Sequence, residues 1–173
     1  MTGERDPILE EYEAQVGKEA LPQPCKFVTE KGAMQKVAWA AGDTNPLWWD
    51  EKYARSTCFG GIIASPIFLL WFPLRGMWPS QRDAALNPKV ELHFSAGGTL
   101  LRNVVGGRQD EWFRPIRPGD TISLSLKLQS VKKRWSKALN NNMYILDDKL
   151  VLKNQFGQIV ATELRTSIRI PEK

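Results

Sequence analysis

Alternation of apolar and polar residues is the clearest pattern in this chain, and it is strongest between residues 122 and 129. There every second residue is isoleucine or leucine, and serine, lysine and glutamine lie between them. Because successive side chains of a strand point to opposite faces, this alternation predicts a strand with one buried face. Two further strands, at residues 143–153 and 159–170, are predicted to pair as a hairpin around a turn at residues 154–158.

Shorter apolar runs predict the rest of a sheet. Residues 100–105 and 110–113 are strand candidates, and the two glycines between them indicate a bulge or turn. Two prolines and a glycine at residues 113–120 predict a rigid turn before the alternating strand.

Helical periodicity predicts two helices before residue 43. Asp6 is a suitable cap for a helix that begins at Pro7 and ends before Gly17. A second helix is predicted to have Thr29 as its cap and Gly42 just past its end, where a left-handed residue is favoured. The predicted buried face of the second helix is formed by Ala33, Met34, Val37, Ala38 and Ala41. Between the helices, residues 21–24 are predicted to be extended and residues 26–28 to form a short first strand.

An apolar run at residues 62–78 predicts a central helix, which Pro66, Pro73 and Gly76 should shorten or kink. Residues 79–98 have no strong periodicity, so a long loop is expected there. The predicted architecture is α+β, with a curved antiparallel β-sheet wrapped around a central α-helix.

The segment from Gly42 to Pro66 carries the most unusual chemistry in the chain. It reads GDTNPLWWDEKYARSTCFGGIIASP. Asp43 follows the predicted end of a helix, an Asn-Pro turn comes next, and Asp50 should cap a short helix at residues 51–55. A carboxylate at the end of a helix is a candidate acid or base. The same sequence pattern also fits a helix cap or a turn-forming residue.

This segment resembles the hallmark of the MaoC-like (R)-specific enoyl-CoA hydratases and 3-hydroxyacyl dehydratases, GDxNPLHxDxxYA followed by FGGxIAHG. The matching residues are Gly42, Asp43, Asn45, Pro46, Leu47, Asp50, Tyr53, Ala54, Phe59, Gly60, Gly61, Ile63 and Ala64. The resemblance implies the hot-dog fold. It also implies a reaction that adds water to the double bond of a 2-enoyl thioester, or the reverse.

Two positions depart from the hallmark, and each removes a chemical function. Active members carry a catalytic histidine where this chain has Trp48, whose indole cannot exchange a proton near neutral pH. They carry a glycine, whose backbone N–H polarises the thioester carbonyl, where this chain has Pro66, which has no N–H. Each missing group is worth on the order of a hundredfold in rate, so Asp43 alone predicts impaired catalysis.

The tryptophan after Asn-Pro-Leu, the proline at position 66 and FRPIRPGD at residues 113–120 resemble the N-terminal-type dehydratase domains. In that subgroup such a module shapes the substrate tunnel and pairs, as a fused domain or a separate chain, with a second hot-dog that keeps the Asp-His site. The resemblance thus implies an acyl-CoA substrate, no other cofactor, and a hetero-dimer or hetero-tetramer with that second subunit.

The resemblance also implies a set of site residues. Asp43 would keep a residual catalytic role. Substrate binding would fall to Asn45, Trp48, Trp49, Gly61, Ile63, Ala64, Ser65 and Pro66. Packing at a subunit interface is the alternative role for at least one of the two tryptophans.

Composition narrows the class of protein. The 173 residues, 42% hydrophobic and 25% charged, are enough to bury a core. We interpret residues 1–173 as one domain, in which residues 1–24 are an appended helix and linker. The net charge of +5 suits an anionic partner such as the phosphates of coenzyme A. Alternatively, the basic residues form a solvated face without a ligand, since they are scattered along the chain. Nucleic-acid binding is not predicted.

Two cysteines, Cys25 and Cys58, and the single histidine, His93, have no ligand-like spacing, so no metal site is predicted. The charged residues near the N-terminus do not form a signal peptide, and the apolar run at 62–78 is too interrupted to span a bilayer. A cytoplasmic location without membrane contact is expected.

Three other functions remain open on the sequence. The chain could be a self-sufficient homodimeric hydratase that uses Asp43 together with His93, Glu111 or a water. A thioesterase is a second alternative, because unrelated chemistries share this fold. The third is an acyl-CoA-binding protein without chemistry.

Overall fold

Antiparallel strands contain most of the helix and strand residues that the structure describes. The structure is a computed structural model, and it describes residues 5–24, 28–70 and 94–172. The strands in these ranges are β1 (Glu19–Pro24), β2 (Phe94–Ala96), β3 (Thr99–Trp112), β4 (Ser123–Ser136), β5 (Asn141–Lys153) and β6 (Ile159–Pro171). They form one sheet in the order β1-β4-β5-β6-β3-β2.

The helices of the described residues are short. They are α1 (Pro7–Glu13), α2 (Lys31–Ala40) and α3 (Glu51–Ser56), with 3-10 turns at Pro46–Trp48 and Pro66–Leu70. Asp6 caps α1 as predicted, because its carboxylate accepts a hydrogen bond of 3.1 Å from the Leu9 N–H. Asp50 caps α3 in the same way.

Most strand predictions are confirmed, with longer elements than the pattern indicated. The alternating strand at 122–129 is the first half of β4, and the predicted hairpin is the pair β5–β6. The candidates at 100–105 and 110–113 belong to one strand, β3. A bulge between Val105 and Gly107 takes the place of a break.

Two local predictions were wrong. Thr29 does not cap α2: Glu30 holds the cap position, and the Thr29 hydroxyl has no hydrogen-bond partner among the described residues. The first strand lies at Glu19–Pro24, and of the predicted strand at 26–28 only Val28 is described, outside any strand. Because β1 is an edge strand, its prolines remove no hydrogen bond from the middle of the sheet.

The predicted central helix does not begin at Ile62. Residues 62–65 have no regular structure, and Pro66 starts a 3-10 turn that ends at Leu70. Residues 71–78 of that helix, and residues 79–93 of the predicted loop with His93, lie outside the described residues. The described end of that loop forms β2 and a tight turn into β3, because residues 94–96 pair with residues 99–101.

Two apolar clusters make up the core of the described ranges. The first packs α2 and residues 62–69 against one end of β5 and β6, and it includes Trp48, Ile63, Ala64, Ile116 and Leu152. The second packs α1 against the other end of the sheet, through Ile8, Tyr12, Leu128, Tyr144 and Leu146. Asp148 separates Leu150 of the first cluster from Leu146 of the second on the same face of β5.

Candidate functional site

The loop after α2 holds Asp43 in place through its backbone and its side chain. Gly42 has a φ of +68° and ends the helix in the left-handed conformation that the sequence predicted. The Asp43 N–H donates to the Ala38 carbonyl at 2.9 Å. The Asp43 carbonyl accepts a hydrogen bond from the indole N–H of Trp49 at 3.0 Å. Asp43 is half-buried, so its carboxylate has a fixed backbone behind it and access to solvent.

The carboxylate of Asp43 has one described contact, a 3.2 Å hydrogen bond that its Oδ1 accepts from the Asn45 N–H. Asn45 in turn caps the 3-10 turn Pro46–Trp48, because its Oδ1 accepts the Leu47 N–H at 3.0 Å. The side-chain oxygen of Asn45 is thus already used in a hydrogen bond within the loop. Asn45 is one of the residues expected to bind substrate. Its side chain is exposed and stabilises the conformation of the loop.

Trp48 lies in the core. Only 7% of its surface is exposed, and it packs in the first apolar cluster with Ile63 and Ala64. Gln35 donates to the Trp48 carbonyl at 3.2 Å, but within the described ranges the indole Nε1 of Trp48 has no hydrogen-bond partner. The ring that stands where the family carries histidine therefore fills the space between α2 and residues 62–64.

The second half of the predicted site, residues 61–66, runs beside Trp48. Ile63 and Ala64 are buried, and Gly61 is half-buried. Ser65 is 1% exposed, and its hydroxyl also has no hydrogen-bond partner in the part of the chain that the structure describes. Pro66, next along the chain, is exposed at the start of the 3-10 turn.

The structure thus brings together residues 48–49 and residues 61–66, which are separated in the sequence by the helix α3. Trp48, Ile63 and Ala64 share one cluster, and Trp49 packs against it while it holds Asp43. Gly61, Ser65 and Pro66 flank that cluster as chain neighbours. Asn45 is held at the exposed end of the loop.

The rigid turn at residues 113–120 forms hydrogen bonds with residues 59–64 of this site. Ala64 donates its N–H to the Ile116 carbonyl at 2.9 Å, and the Arg117 guanidinium donates to the Phe59 carbonyl at 2.7 Å. Asp120 closes the turn by accepting the Arg117 N–H at 2.7 Å. The sequence predicted the turn from its prolines, but not that it supports residues 59–64. That contact joins segments that lie far apart in the chain.

A charged group in the middle of the sheet was also missed. Glu163 is 1% exposed and forms ion pairs with Arg165 at 2.6 Å and with Arg108 at 3.3 Å. Asp148 lies opposite Arg165 on the next strand, and burial raises the pKa of Asp148, which Arg169 and Arg165 partly oppose. Arg108 and Asp148 lie 55 and 15 residues before Glu163 in the sequence, so only strand register could have revealed the group.

Metal and membrane sites are not found in the described ranges. No three potential ligands of the types histidine, cysteine, aspartate or glutamate come together there. Nor does any described helix reach the length and hydropathy required to cross a bilayer. Cys58 is exposed as a free thiol, and Cys25 lies outside the described residues.

The antiparallel sheet and the Asp-Asn-Pro loop beside a Gly-Gly segment define the class of MaoC-like hot-dog hydratases and dehydratases. Residues 14–163 match the family described as "FAS1-like, dehydratase domain region". The chain therefore belongs to that family, and the resemblance expected from the sequence is confirmed.

Two relatives illustrate the range of this family. The chain is 28% identical over 149 residues to a protein of Streptomyces griseus named "UPF0336 protein", and the match covers 86% of this chain and 88% of the relative. It is also 28% identical over 141 residues to the "Probable enoyl-CoA hydratase alpha subunit" of Thermomonospora curvata. That match covers 78% of this chain and 42% of the relative, so the chain spans less than half of the longer protein.

Solved structures confirm the fold class. A chain of the ChsH1-ChsH2 complex from Mycobacterium tuberculosis superposes with a TM-score of 0.67 at 18% identity. The match covers 92% of this chain and 94% of the other. At that identity the likeness shows the hot-dog fold and nothing further about function.

Proposed function

We propose that this chain is the substrate-shaping, catalytically impaired subunit of a heteromeric 2-enoyl-CoA hydratase or 3-hydroxyacyl-CoA dehydratase. A second hot-dog chain with an intact Asp-His pair would supply the chemistry. The burial of Trp48 carries the proposal, because its ring fills the core where an acid-base residue would have to reach substrate.

The remaining groups of the loop support the same conclusion. Asp43 is present, but its described partner is a backbone N–H, and no imidazole comes near it among the described residues. Pro66 stands where a backbone N–H would polarise the thioester, and it has none to donate. Hydration needs a base, a proton donor and a hydrogen-bond donor to the enolate oxygen. With a lone carboxylate, the rate of hydration should therefore be lower by several factors of ten.

One edge of the sheet supports pairing with a partner. β2 covers only Thr99–Leu101 of β3, and β6 lies along its other side. Within the described ranges, residues 102–112 have no strand beside them on the β2 side, and Val105 at this edge is 65% exposed. An uncovered strand of this length is a template for pairing with another chain. The name of the Thermomonospora curvata relative, an alpha subunit, agrees with an assembly of unlike subunits.

The proposal is tested by recovering the chain from its native host under mild conditions. We expect it to purify with a second hot-dog chain that carries the Asp-His pair, and the complex, but not the isolated chain, to hydrate a 2-enoyl-CoA. A chain that purifies only with itself and hydrates the thioester at ordinary enzymatic rates would contradict the subunit model and favour the self-sufficient enzyme.

The same preparation separates the two remaining alternatives. A thioesterase would release the free thiol of coenzyme A from an acyl-CoA, and an assay for free thiol detects this directly. A binding protein would take up the thioester in a calorimeter while neither the chain nor its complex turns it over.

A further inference from the structure

The described ranges contain a cavity at the end of the sheet that lies away from Asp43. Its volume is about 310 Å³, and it is lined by Arg102, Leu139, Asn141, Ile170, Pro171 and Glu172. β5 begins at Asn141, beside this end cavity, and reaches the first apolar cluster at Leu152. At about 3.3 Å per residue the strand between these two residues is roughly 35 Å long. The end cavity is therefore separate from the candidate functional site.

Backbone hydrogen bonds hold the walls of the end cavity. The side-chain amide of Asn141, at the start of β5, donates to the Pro171 carbonyl at 2.9 Å. The Glu172 N–H donates to the Leu100 carbonyl of β3 at 2.9 Å. Ile170 is only 7% exposed and gives the cavity a buried apolar side chain. The shape of the end cavity is thus set by the ends of three neighbouring strands.

Two opposite charges line the end cavity beside an apolar surface. Arg102 and Glu172 are both exposed, and neither side chain forms an ion pair or a hydrogen bond with another described residue. Leu139, Ile170 and Pro171 supply the apolar surface. Small-molecule sites commonly combine apolar walls with a few polar groups that fix the orientation of the ligand.

We propose that the end cavity binds a free α-amino acid with an apolar side chain. The guanidinium of Arg102 suits a carboxylate, to which it can donate two hydrogen bonds. The carboxylate of Glu172 suits the ammonium group, and Leu139 and Ile170 suit the side chain. The volume equals that of about ten water molecules in the liquid, which matches the size of leucine. This inference does not rest on the proposed function.

The charge pattern favours a zwitterion over a ligand with one charge. A simple carboxylate would pair with Arg102 but would be repelled by Glu172. A simple amine would meet the reverse situation. An α-amino acid is attracted by both groups at once, so the two charges together select this class of ligand.

Three ligands with the same branched alkyl group test this selection. They are L-leucine, 4-methylpentanoate, which lacks the ammonium group, and 3-methylbutylamine, which lacks the carboxylate. We expect NMR titration of the protein, as recovered from its native host, to show leucine binding at least about fivefold more tightly than either analogue, the effect of one exposed ion pair. Equal binding of leucine and one analogue, or no leucine binding at about 10 mM, would overturn the proposal.

Arg102→Gln and Glu172→Gln locate the binding. Both side chains are exposed, so the variants should remain folded, which the melting temperature verifies. Each should weaken leucine binding about fivefold. Arg55→Gln and Glu111→Gln make the same changes at exposed positions outside the end cavity and should leave leucine binding unchanged. Losses of the same size in all four variants, or no loss in the first two, would refute the site.

Discussion

The indole N–H of Trp49 donates a 3.0 Å hydrogen bond to the backbone carbonyl of Asp43, six residues earlier in the chain. This contact closes the loop that follows α2 and ties the carboxylate-bearing residue to the apolar cluster against which Trp49 packs. The two tryptophans therefore have different roles. Trp48 fills the core, and Trp49 positions the loop.

Trp49→Phe should loosen the loop and keep the packing. Loss of one half-buried hydrogen bond is expected to lower the free energy of unfolding by about 1 kcal/mol, and urea denaturation measures this. Trp39→Phe is the control, because Trp39 is 77% exposed and surface substitutions stay within about 0.5 kcal/mol. Equal effects of the two variants would show that the contact with Asp43 contributes nothing.

Asp43→Asn tests whether this chain contributes chemistry. Asparagine retains the side-chain oxygen that accepts the Asn45 N–H, so the loop should keep its shape. If the partner performs the acid-base steps, kcat/KM of the complex should fall by no more than about threefold, well below the hundredfold or more that general acid-base catalysis is worth.

Asp50→Asn provides the matched control, since Asp50 is the α3 cap and asparagine caps a helix about as well. A loss of more than about a hundredfold in Asp43→Asn alone would show that Asp43 is itself the base.

Tyr144 is predicted to make the stability of the chain depend on alkaline pH. Burial, together with its hydrogen bonds to the Asp6 carboxylate at 3.0 and 3.1 Å, raises the pKa of Tyr144 from 10.0 to about 12. The folded state thus holds the proton more tightly than the unfolded state. The stabilisation is fully present below pH 10 and is lost as the pH rises towards 12.

Tyr144→Phe should remove this part of the alkaline loss. At neutral pH the variant should also be less stable by about 2 kcal/mol, because the hydrogen bond to a charged group is gone. Urea denaturation at a series of pH values measures both effects, and Tyr53→Phe is the control because Tyr53 is 46% exposed. An unchanged slope between pH 10 and pH 12 in Tyr144→Phe would contradict the prediction.

Glu163→Gln should be the most destabilising conservative change in the sheet. Glu163 is buried between the guanidiniums of Arg108 and Arg165. Neutralising it removes a counter-charge from Arg165, whereas Arg108 keeps its ion pair with Asp110 at 2.8 Å. Removal of one partner from a buried ion pair costs about 3 kcal/mol. Glu111→Gln on the exposed edge of β3 should change the free energy of unfolding by less than about 0.5 kcal/mol. A loss below 1 kcal/mol in Glu163→Gln would contradict this account.

Val105→Lys tests the uncovered edge of β3. Val105 is 65% exposed, so lysine should leave the isolated chain folded, while a charged edge discourages strand pairing. We expect the variant to lose its partner in size-exclusion chromatography. Leu139→Lys, in the turn between β4 and β5 where Leu139 is 39% exposed, should keep it. Retention of the partner by Val105→Lys would place the interface elsewhere.

Local patterns predicted those parts of the fold that short-range physics controls. Alternation located the first half of β4, because the period of a strand is visible within eight residues. Asp6 and Asp50 were recognised as caps, since a cap acts on a backbone N–H two or three positions away. Thr29 shows the limit of such reasoning. Its hydroxyl is suited to capping, but the hydrogen bonds of its backbone with Gly119 and Asp120 hold it outside the helix.

The sequence by itself determined the family, through the Gly42–Pro66 segment, and with it the absence of histidine at Trp48 and of an N–H at Pro66. Only the tertiary structure decided that Trp48 fills the core, that Ile116 and Arg117 clamp residues 59–64, and that Glu163 lies between two arginines. These facts depend on which side chains meet across distant strands and loops. Burial and long-range contacts arise from the packing of the whole chain, and no window of neighbouring residues contains them.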